Sequence, residues 1–582
     1  MTKSKDKEPW LRSQEWFAPD NLRSFAHRQR MQQVGYSREE FLDVPVIGVF
    51  VSWNGFSTCH SHLRERATAV MRGIRQSGGL PIEFPVMSLG EVMVKPTSML
   101  YRNLMAIEVE EMLRSHPFDA AVLMGGCDKT VPGLVMGALS ADIPFLFLPA
   151  GAALGGNWNG EKVGAGTHTK IFWDQYRSGV LSKEKWLELE SAMIRCAGTC
   201  NTMGTASTMA IAMDALGLCV AGASTIPAVD SAHERMCFLS GQCSVSLAKE
   251  GRSPLKFLSR AHSKNAIRVI CACGGSTNAL IHLIAIAGRA GITLDLDDFD
   301  SIARETPILV DLMPAGSHLM QDFHFAGGVP TLLSRLKPFL DEATLTVENK
   351  TLGSFIDSAQ SGDANIIRKL DDPVSNEPAF AVLRGNLAPF GAVIKPSSMD
   401  KSLMRHCGKA IVFSGPEDLA SRIDDPNLEV DADSVLVLRG GGPINGPGMP
   451  EWGNLPIPQK LLRLGIKDMV RLSDARMSGT HFGACVLHIS SESPEHGNLA
   501  LVRDGDLISV DVEKRSIELR VGLEELEQRR VLPSCSISAS DTTPNSQRGY
   551  LSLHKKHVEQ AHQGCDFDFL KGFTPLERPR IF

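Results

Sequence analysis

The chain has 582 residues, of which 43% are hydrophobic and 22% charged, and its formal net charge is −6. This length exceeds what one hydrophobic core organises and predicts several domains, whereas the slightly acidic balance lacks the basic footprint of a nucleic-acid partner. The sequence has no run of about 18 apolar residues and its polar N-terminus lacks the apolar core of a secretory signal, so we expect a cytoplasmic protein without membrane partners.

Residues 1–43 form a polar segment rich in arginine, glutamine and aromatic side chains. We expect an arm that either packs on a neighbouring subunit or leads over the surface into the first domain. In residues 44–375, short apolar runs alternate with amphipathic segments. The runs VPVIGVFVSW, AAVLMGG, IPFLFLPAG and IRVICACGG predict strands, and ATAVMRGIRQSG and NALIHLIAIAGRAG predict helices. This alternation predicts an α/β domain around a mostly parallel sheet.

The pattern changes beyond about residue 340, where LGSFIDSAQSGDANIIRKLDDPVSNEP has the composition of a polar connection. Strand-like runs dominate residues 380–582, among them AVLRGNLAP, KAIVFSG, SVLVLRGGGP, MVRLSDAR, ACVLHIS and DLISVDVEKRSIELRV. Asp-Gly and Gly-Pro pairs separate these runs, as turns do. The sequence therefore predicts a second, β-rich domain.

The stretch GGCDKTVPG, residues 125–133, directly follows the apolar run AAVLM. The loop at the carboxyl end of a strand in an open parallel sheet is where such folds usually hold ligands. This placement makes Cys127, Asp128 and Lys129 candidate site residues. A tight strand-to-helix turn with Pro132 in the first helical turn is the alternative interpretation.

Three other loops rich in Gly, Ser and Thr carry a cysteine or a carboxylate: Cys59 in SWNGFSTCHSH, Glu91 in SLGEVMVKP and Cys200 in RCAGTCNTMGTAST. The thirteen cysteines of this chain favour reduced thiols over a disulfide framework. The motif cysteines do not form the CxxC pairs of a zinc ribbon. If Cys59, Cys127 and Cys200 converge, they suit an iron-sulfur cluster with one iron short of a protein ligand; most other cysteines, such as Cys271, suit core packing.

The motifs GGCDKTVPG, AGTCNTMGTASTM, CGGSTNALIHLIAIA, GPGMPEWGNLPIP and LSDARMSGTHFG occur in an order and at spacings that resemble the dihydroxy-acid and sugar-acid dehydratase family. The resemblance runs from about residue 45 to the closing RGYLSLHKKHVEQAHQGCDFDFL. It implies an N-terminal α/β domain, a C-terminal β-barrel-like domain, an iron-sulfur cluster and a magnesium ion. Resemblance to the sugar-acid members favours a 2Fe-2S cluster over the 4Fe-4S cluster of the phosphogluconate branch. It also implies a hydro-lyase that acts as a homodimer or homotetramer.

The resemblance assigns roles residue by residue. Cluster ligands match Cys59, Cys127 and Cys200; magnesium ligands match Glu91, Asp128, Glu451 and a carbamylated Lys129; and the proposed base matches Ser478. Thr480 is expected to contact substrate or to serve as a structural hydroxyl. The local context of Cys59, GFSTCHSH, differs from the Asn-Pro-Cys-type context common in relatives.

The substrate hydroxyls beyond C3 also need binding residues. His60, His168 and Thr480 are candidates by loop position alone. Ser276 and Asn278 are expected to fix a turn, and His282, on an apolar helix face, is expected to lie in the core.

Four stretches resemble the sugar-acid branch of the family more than the branched-chain one: LYRNLMAIEVEEML, PEWGNLPIP, SDARMSGTHFG and RGYLSLHKKHVEQAHQGCDFDFL. This resemblance implies a sugar acid, most of all a pentonate such as arabinonate or xylonate, as the substrate that becomes a 2-keto-3-deoxy acid. A site built to bond the hydroxyls of an aldonate leaves polar groups unpaired when an alkyl chain enters, at about 1–3 kcal/mol per group. The alternatives are 2,3-dihydroxyisovalerate, a small acid such as glycerate, and a non-catalytic iron-sulfur electron carrier or sensor. The carrier would need a fourth cysteine ligand and no magnesium carboxylates.

Overall fold

The computed structural model of the protein describes residues 11–357, 359, 362–492, 497–531, 548–572 and 581. Its N-terminal part contains six strands: β1 (Val46–Val51), β2 (Leu80–Pro85), β3 (Ala120–Gly125), β4 (Phe145–Pro149), β5 (Gly156–Trp158) and β6 (Glu161–Val163). The helices of this part are α1 (Gln14–Phe17), α2 (Leu22–Gln33), α3 (Leu63–Gln76), α4 (Arg102–Ser115), α5 (Thr130–Ala141), α6 (Thr167–Ser178), α7 (Lys183–Ala192), α8 (Thr205–Ala215), α9 (Ser231–Glu250), α10 (Arg260–Ala272), α11 (Asn278–Arg289), α12 (Leu296–Glu305), α13 (Met320–Phe325), α14 (Gly328–Leu336) and α15 (Leu352–Ile356).

Strands β1 to β4 form one parallel sheet in the order β2-β1-β3-β4. Every residue of β1, β3 and β4 is buried, because α3 and α9 cover one face of the sheet while α4 and α5 cover the other. Continuous apolar runs such as VIGVFV and AAVLMG suit strands enclosed on both faces. The predicted α/β region with a parallel sheet is therefore confirmed.

All four strands of this sheet point in one direction, so the loops that follow them meet at one edge. The loop after β1 carries Cys59, the loop after β2 carries Glu91, and the loop after β3 carries Cys127. The segment beyond β4 forms a parallel bridge from Ala152 to Thr199, which places Cys200 at the same edge. Carboxyl ends of parallel strands are the usual ligand site of such sheets.

The C-terminal part is an eight-stranded closed barrel with the strand order β10-β11-β12-β8-β7-β14-β13-β9. Its strands are β7 (Ala381–Gly385), β8 (Ala388–Ile394), β9 (Arg405–Phe413), β10 (Val435–Leu438), β11 (Arg471–Ser473), β12 (Cys485–Ser490), β13 (Leu507–Asp511) and β14 (Ser516–Leu519). The helices here are α16 (Pro416–Arg422), α17 (Gln459–Arg463), α18 (Leu523–Val531) and α19 (Gly549–His557). Buried Val, Leu, Ile and Ala side chains fill the barrel, so the predicted β-barrel-like domain is also confirmed.

The described part of the N-terminal arm, residues 11–43, packs against its own chain. Phe17 and Phe41 are buried in the main core, and the Arg12 side chain donates to backbone carbonyls at the end of α4. The Asp119 carboxylate joins arm and sheet, since it accepts hydrogen bonds from the backbone N–H groups of Ser13 (2.8 Å) and Val46 (2.7 Å). Residues 1–10 of the predicted arm lie outside the described residues.

The last described segment returns from the barrel to the α/β region. Arg289 on α11 pairs with Asp566 at 2.6 Å, and both side chains are fully buried. Arg102 at the start of α4 donates to the carbonyls of Gly564 (2.9 Å) and Cys565 (2.8 Å). These contacts fasten the C-terminal segment beside the helices that support the sheet edge.

One predicted strand is wrong. The run IRVICACGG lies in the last turns of α10 and the loop that follows it. Arg268 is the one partly exposed residue of this run, so the run has too little polar face to distinguish it from a buried strand. The missed signal is the start of the helix at Ser259, where a capping box with His262 begins a regular helix of 13 residues.

Among the residues that the structure describes, no helix is long and apolar enough to cross a membrane.

Candidate active site

Three cysteine side chains meet at the carboxyl edge of the parallel sheet. Cys127 lies just beyond β3 in a left-handed conformation with φ of 62°, which turns the chain sharply between the strand and α5. Cys127 lies close enough to Cys59 and to Cys200 to raise the pKa of each, and Cys200 also acts on Cys59. The structure therefore brings together the three cysteines that the sequence grouped.

Burial and neighbouring groups favour the neutral forms of Cys59 and Cys200. The hydrogen bond with Cys127, burial and the neighbouring Cys127 and Cys200 raise the pKa of Cys59 well above its ordinary value. Burial, Asp128 and Cys127 raise the pKa of Cys200 to about 12. Because thiolate is the form that binds metal, this trio needs a positively charged group to become ionised.

Lys129, directly after Cys127 and Asp128, lies among three carboxylates. Its Nζ is 3.1 Å from Asp128 Oδ2, 3.2 Å from Glu91 Oε2 and 3.6 Å from Glu451 Oε1. Lys129 is fully buried, while Glu451 comes from the barrel loop between β10 and β11. The predicted carboxylates thus converge from both parts of the chain on one amine.

The second cation of this group is Arg476, which is fully buried. Its Nη1 is 3.1 Å from Glu451 Oε1, and its Nη2 is 3.9 Å from Glu91 Oε1. Two further bonds fix the guanidinium: Nη2 donates to Thr97 Oγ1 at 3.0 Å and Nε donates to the Met449 carbonyl at 2.7 Å. Arg476 therefore connects the carboxylate of the α/β region with that of the barrel.

The carboxylates differ in their readiness to ionise. Burial opposes ionisation of Glu91, but Lys129, Arg476 and hydrogen bonds from Ser98 and Thr97 outweigh it and lower its pKa to about 2. Burial raises the pKa of Glu451 to about 7 despite the attraction of Lys129. Burial also opposes the charged form of Lys129, yet the three carboxylates keep its pKa above the ordinary value.

Within the described residues, no three His, Cys, Asp or Glu side chains are arranged as a ready-made metal site. The three carboxylates do not surround an open position, because each lies within 3.6 Å of the Lys129 ammonium. The two sets of donors nevertheless differ in kind. Soft thiols suit iron, and hard carboxylates suit magnesium.

The barrel loop between β11 and β12 brings Ser478 to the same place. Ser478 Oγ is 3.0 Å from Thr480 Oγ1, and the Thr480 carbonyl accepts a hydrogen bond of 2.8 Å from Thr167 at the start of α6. Gly479 lies so close to α8 and its neighbours that an added Cβ would be 2.5 Å from Ser276 Oγ. Only glycine therefore allows this loop to approach the α/β region.

Asn278, the first residue of α11, connects the serine loop with the carboxylates. Its Nδ2 is 3.1 Å from Glu451 Oε1, 3.1 Å from the Met477 carbonyl and 3.0 Å from Thr205 Oγ1. Ser276 contacts Thr205 at 2.9 Å and the backbone N–H of Asn278 at 3.2 Å. The sequence predicted only a turn here and missed the contact with Glu451.

Two of the candidates for substrate hydroxyls have other partners. His60 is 0% exposed and its ring nitrogens bond within the protein, so the interpretation of His60 as a substrate contact is wrong. His168 is partly exposed on α6, where Nδ1 accepts a bond of 2.8 Å from the Gly164 N–H. His282 is fully buried, as expected, with Nδ1 3.2 Å from Arg102.

Arg476 and the two hydroxyls that anchor Glu91 were also missed. Arg476 stands inside the motif LSDARMSGTHFG, where its position two residues before Ser478 was a usable signal. Thr97 and Ser98 both donate to the Glu91 carboxylate. These hydroxyls follow Glu91 by six and seven residues in the sequence. This spacing does not belong to a recognised motif, so the sequence did not indicate the contact.

Three thiols and three carboxylates lie at the edge of an α/β sheet and are completed by loops of a β-barrel, an arrangement that suits an enzyme active site. Residues 44–355 match the family model described as dihydroxy-acid/6-phosphogluconate dehydratase N-terminal, and residues 365–565 match its C-terminal counterpart. The chain belongs to this dehydratase family and is a hydro-lyase.

Full-length relatives agree with this assignment. The chain is 51% identical to 6-deoxy-6-sulfo-D-gluconate dehydratase of Pseudomonas putida, over all of both chains. It is 43% identical to L-arabinonate dehydratase of Rhizobium leguminosarum over 98% of each chain. It is 34% identical to D-xylonate dehydratase of Caulobacter vibrioides over 97% of this chain and 96% of the relative.

Proposed function

We propose that this protein is a sugar-acid dehydratase that uses a 2Fe-2S cluster and a magnesium ion to convert an aldonate into a 2-keto-3-deoxy acid. One observation carries this proposal: the adjacent residues Cys127, Asp128 and Lys129 link a group of three thiols with a group of three carboxylates. The names of the relatives support the substrate class, since they act on arabinonate, xylonate and a sulfonated gluconate.

The thiols fit the proposed cluster by number and chemistry. Three thiolates from Cys59, Cys127 and Cys200 are one fewer than the four that usually hold such a cluster, which leaves one iron for substrate. Cys127 raises the pKa of both Cys59 and Cys200, which supports a shared site. The iron of a cluster would stabilise the thiolate forms of Cys59 and Cys200, which burial and neighbouring groups otherwise disfavour.

The carboxylates fit magnesium if Lys129 is carbamylated. While Lys129 remains an unmodified amine, the three carboxylates face two cations, Lys129 and Arg476. Carbamylation would replace one of these cations by an anionic oxygen ligand, and oxygen anions are what magnesium prefers. The burial of Lys129 among Glu91, Asp128 and Glu451 supports this role, because a carbamate formed there would have carboxylate neighbours ready to share a dication.

The reaction removes water from C2 and C3 of the acid, and the resulting enol tautomerises to the keto acid. When bound, the cluster and magnesium would supply Lewis acidity at the departing hydroxyl and at the carboxylate. We propose that Ser478 Oγ accepts the C2 proton. Thr480 Oγ1, 3.0 Å away, can donate a hydrogen bond to Ser478 Oγ, which favours its charged form. Asn278 holds the Met477 carbonyl beside Glu451, which orients this loop toward the carboxylates.

The sequence favoured a pentonate, and the identity to the sulfogluconate dehydratase adds a second candidate. That relative is 51% identical, against 43% for the arabinonate enzyme. A sulfonated hexonate shares the C1 to C3 chemistry of a pentonate and differs at its far end. Both candidates therefore use the same reacting groups, and only measured specificity separates them.

The test is a 2-keto acid assay on the reconstituted enzyme. We would compare kcat/KM for L-arabinonate, D-xylonate, D-gluconate, 6-deoxy-6-sulfo-D-gluconate, glycerate and 2,3-dihydroxyisovalerate. The expected result is a preference for one of the sugar acids, with Ser478→Ala as an inactive control that still binds both metals. A higher kcat/KM for 2,3-dihydroxyisovalerate than for every sugar acid would refute the substrate class. A reconstituted enzyme without iron would refute the cofactor.

A further inference from the structure

His60 lies fully buried between the loops that follow β1, β2 and β3. Its Nε2 is 3.1 Å from the backbone nitrogen of Gly126 in the loop after β3. Its Nδ1 is 2.7 Å from Ser88 Oγ in the loop after β2 and 2.9 Å from Ser57 Oγ in its own loop. A single imidazole thus joins three loops that are far apart in sequence.

These partners determine the tautomer of the ring. The Gly126 N–H can only donate, so Nε2 must be the unprotonated nitrogen that accepts. Nδ1 then carries the proton and donates to a serine hydroxyl, and the ring is neutral. Burial, which lowers the pKa of His60 to about 4, agrees with this form.

Each partner of His60 is close in sequence to a proposed ligand. Cys59 precedes His60, Cys127 follows Gly126, and Glu91 follows Ser88 by three residues. The third thiol is linked through packing: a Cβ added to Gly126 would be 2.6 Å from Thr199 Cγ2, and Thr199 precedes Cys200. Movement of the ring would therefore displace Gly126, which lies between Cys127 and the Cys200 loop.

We propose that His60 is a positioning residue that holds the three thiol loops and the Glu91 loop in register for the iron-sulfur cluster. Its Nε2 fixes the turn before Cys127, and its Nδ1–H fixes the loop before Glu91. The residue does not contact substrate in this role, which is consistent with its complete burial. The inference rests on the proposed function, because it requires that the thiols hold a cluster.

The test compares two variants that each keep one half of the ring's bonding. His60→Gln places an acceptor near the position of Nε2, and His60→Asn places a donor near that of Nδ1. His60→Leu removes both, and His262→Leu is the control, since His262 is also buried but lies on α10 with Leu345 as a partner. The metal-free variants are first compared by circular dichroism and thermal midpoint. Their iron content, visible absorbance and rate of iron loss to a chelator are then measured after anaerobic reconstitution.

We expect His60→Leu to lose iron about 10-fold faster than the wild type, since removal of groups that orient metal ligands typically lowers metal affinity by about 10–100-fold. His60→Gln should lie closer to the wild type than His60→Asn, because the bond before Cys127 is retained. His262→Leu should hold iron normally. Equal rates of iron loss for the wild type and His60→Leu would overturn the role of His60 and leave the proposed function intact.

If His60→Leu fails to fold, the comparison of His60→Gln with His60→Asn decides, and equal rates for these two overturn the proposal. A wild type that takes up no iron overturns both the proposed function and the role of His60. Activity measurements are not needed for any of these outcomes.

Discussion

Arg476→Met tests how the carboxylates of the two domains are held together. The guanidinium is 3.1 Å from Glu451, 3.0 Å from Thr97 Oγ1 and 2.7 Å from the Met449 carbonyl, and none of it is exposed. Methionine retains much of the length of arginine but removes every donor. Glu91 and Glu451 would then share Lys129 as their remaining cation in this group.

The expected cost follows from the burial of these contacts. Removal of one partner from a buried ion pair typically costs about 3–5 kcal/mol, because an uncompensated charge is left behind. Hydrogen bonds to charged groups contribute about 1.5–3 kcal/mol each. We therefore expect metal-free Arg476→Met to be about 3 kcal/mol less stable than the wild type. Part of the loss should be recovered when Glu451 is neutral.

The loss of unfolding free energy is measured by urea unfolding of the metal-free protein, followed by fluorescence. A double-mutant cycle combines Arg476→Met with Glu451→Gln. The loss from Arg476→Met should shrink by about 1.5 kcal/mol or more when Glu451 is already Gln. Mutations at independent sites add within about 0.5 kcal/mol. An additive result, or a loss below about 1 kcal/mol for Arg476→Met alone, would refute the view that Arg476 compensates buried charge.

Further predictions concern the thiols, the base, the pH dependence and the assembly. Cys200→Ser should abolish the visible absorbance of the cluster and Cys271→Ser should not; a full cluster in Cys200→Ser contradicts the ligand assignment. Ser478→Ala should keep iron and magnesium but lose at least about 100-fold in kcat, as expected for a base; activity near that of the wild type would require another proton acceptor. The pKa of Glu451 is about 7 in the folded protein and exceeds its unfolded value, so its contribution to the stability of the metal-free protein should be lost as the pH rises from about 4.5 to about 7. Glu451→Gln should lack this loss. Parallel plots of unfolding free energy against pH for the two proteins would contradict the prediction. Light scattering should show a homodimer or homotetramer, and a stable monomer at micromolar concentration would contradict this expectation.

The fold and the grouping of the site were largely accessible from the sequence. Continuous apolar runs followed by Gly-rich loops predicted the strands that deliver Cys59 and Cys127, because a parallel sheet places successive carboxyl ends at one edge. The strand prediction for IRVICACGG failed because, apart from Arg268, this end of the helix is buried and has the composition of a buried strand. Periodicity distinguishes the two only when one face is polar.

Contacts between distant segments were not accessible in the same way. Asn278 lies 173 positions from Glu451, and no local pattern indicates that its amide reaches a barrel loop. His60 was misjudged because its loop position suggested a substrate contact. Its burial depends on Ser88 and Gly126, which the fold brings close. Motif resemblance recovered ligand positions but gave no information on the groups that orient them.

The origin of the site residues along the chain has a consequence for biosynthesis. The three clustered thiols are all present once the ribosome has passed residue 200, whereas the carboxylate group lacks Glu451 until more than two hundred further residues have been made. N-terminal domains generally fold first during synthesis, at about 5–20 residues per second. The nascent chain therefore has at least about ten seconds in which Cys59, Cys127 and Cys200 exist before Glu451 and the barrel loop that carries Ser478 have been made.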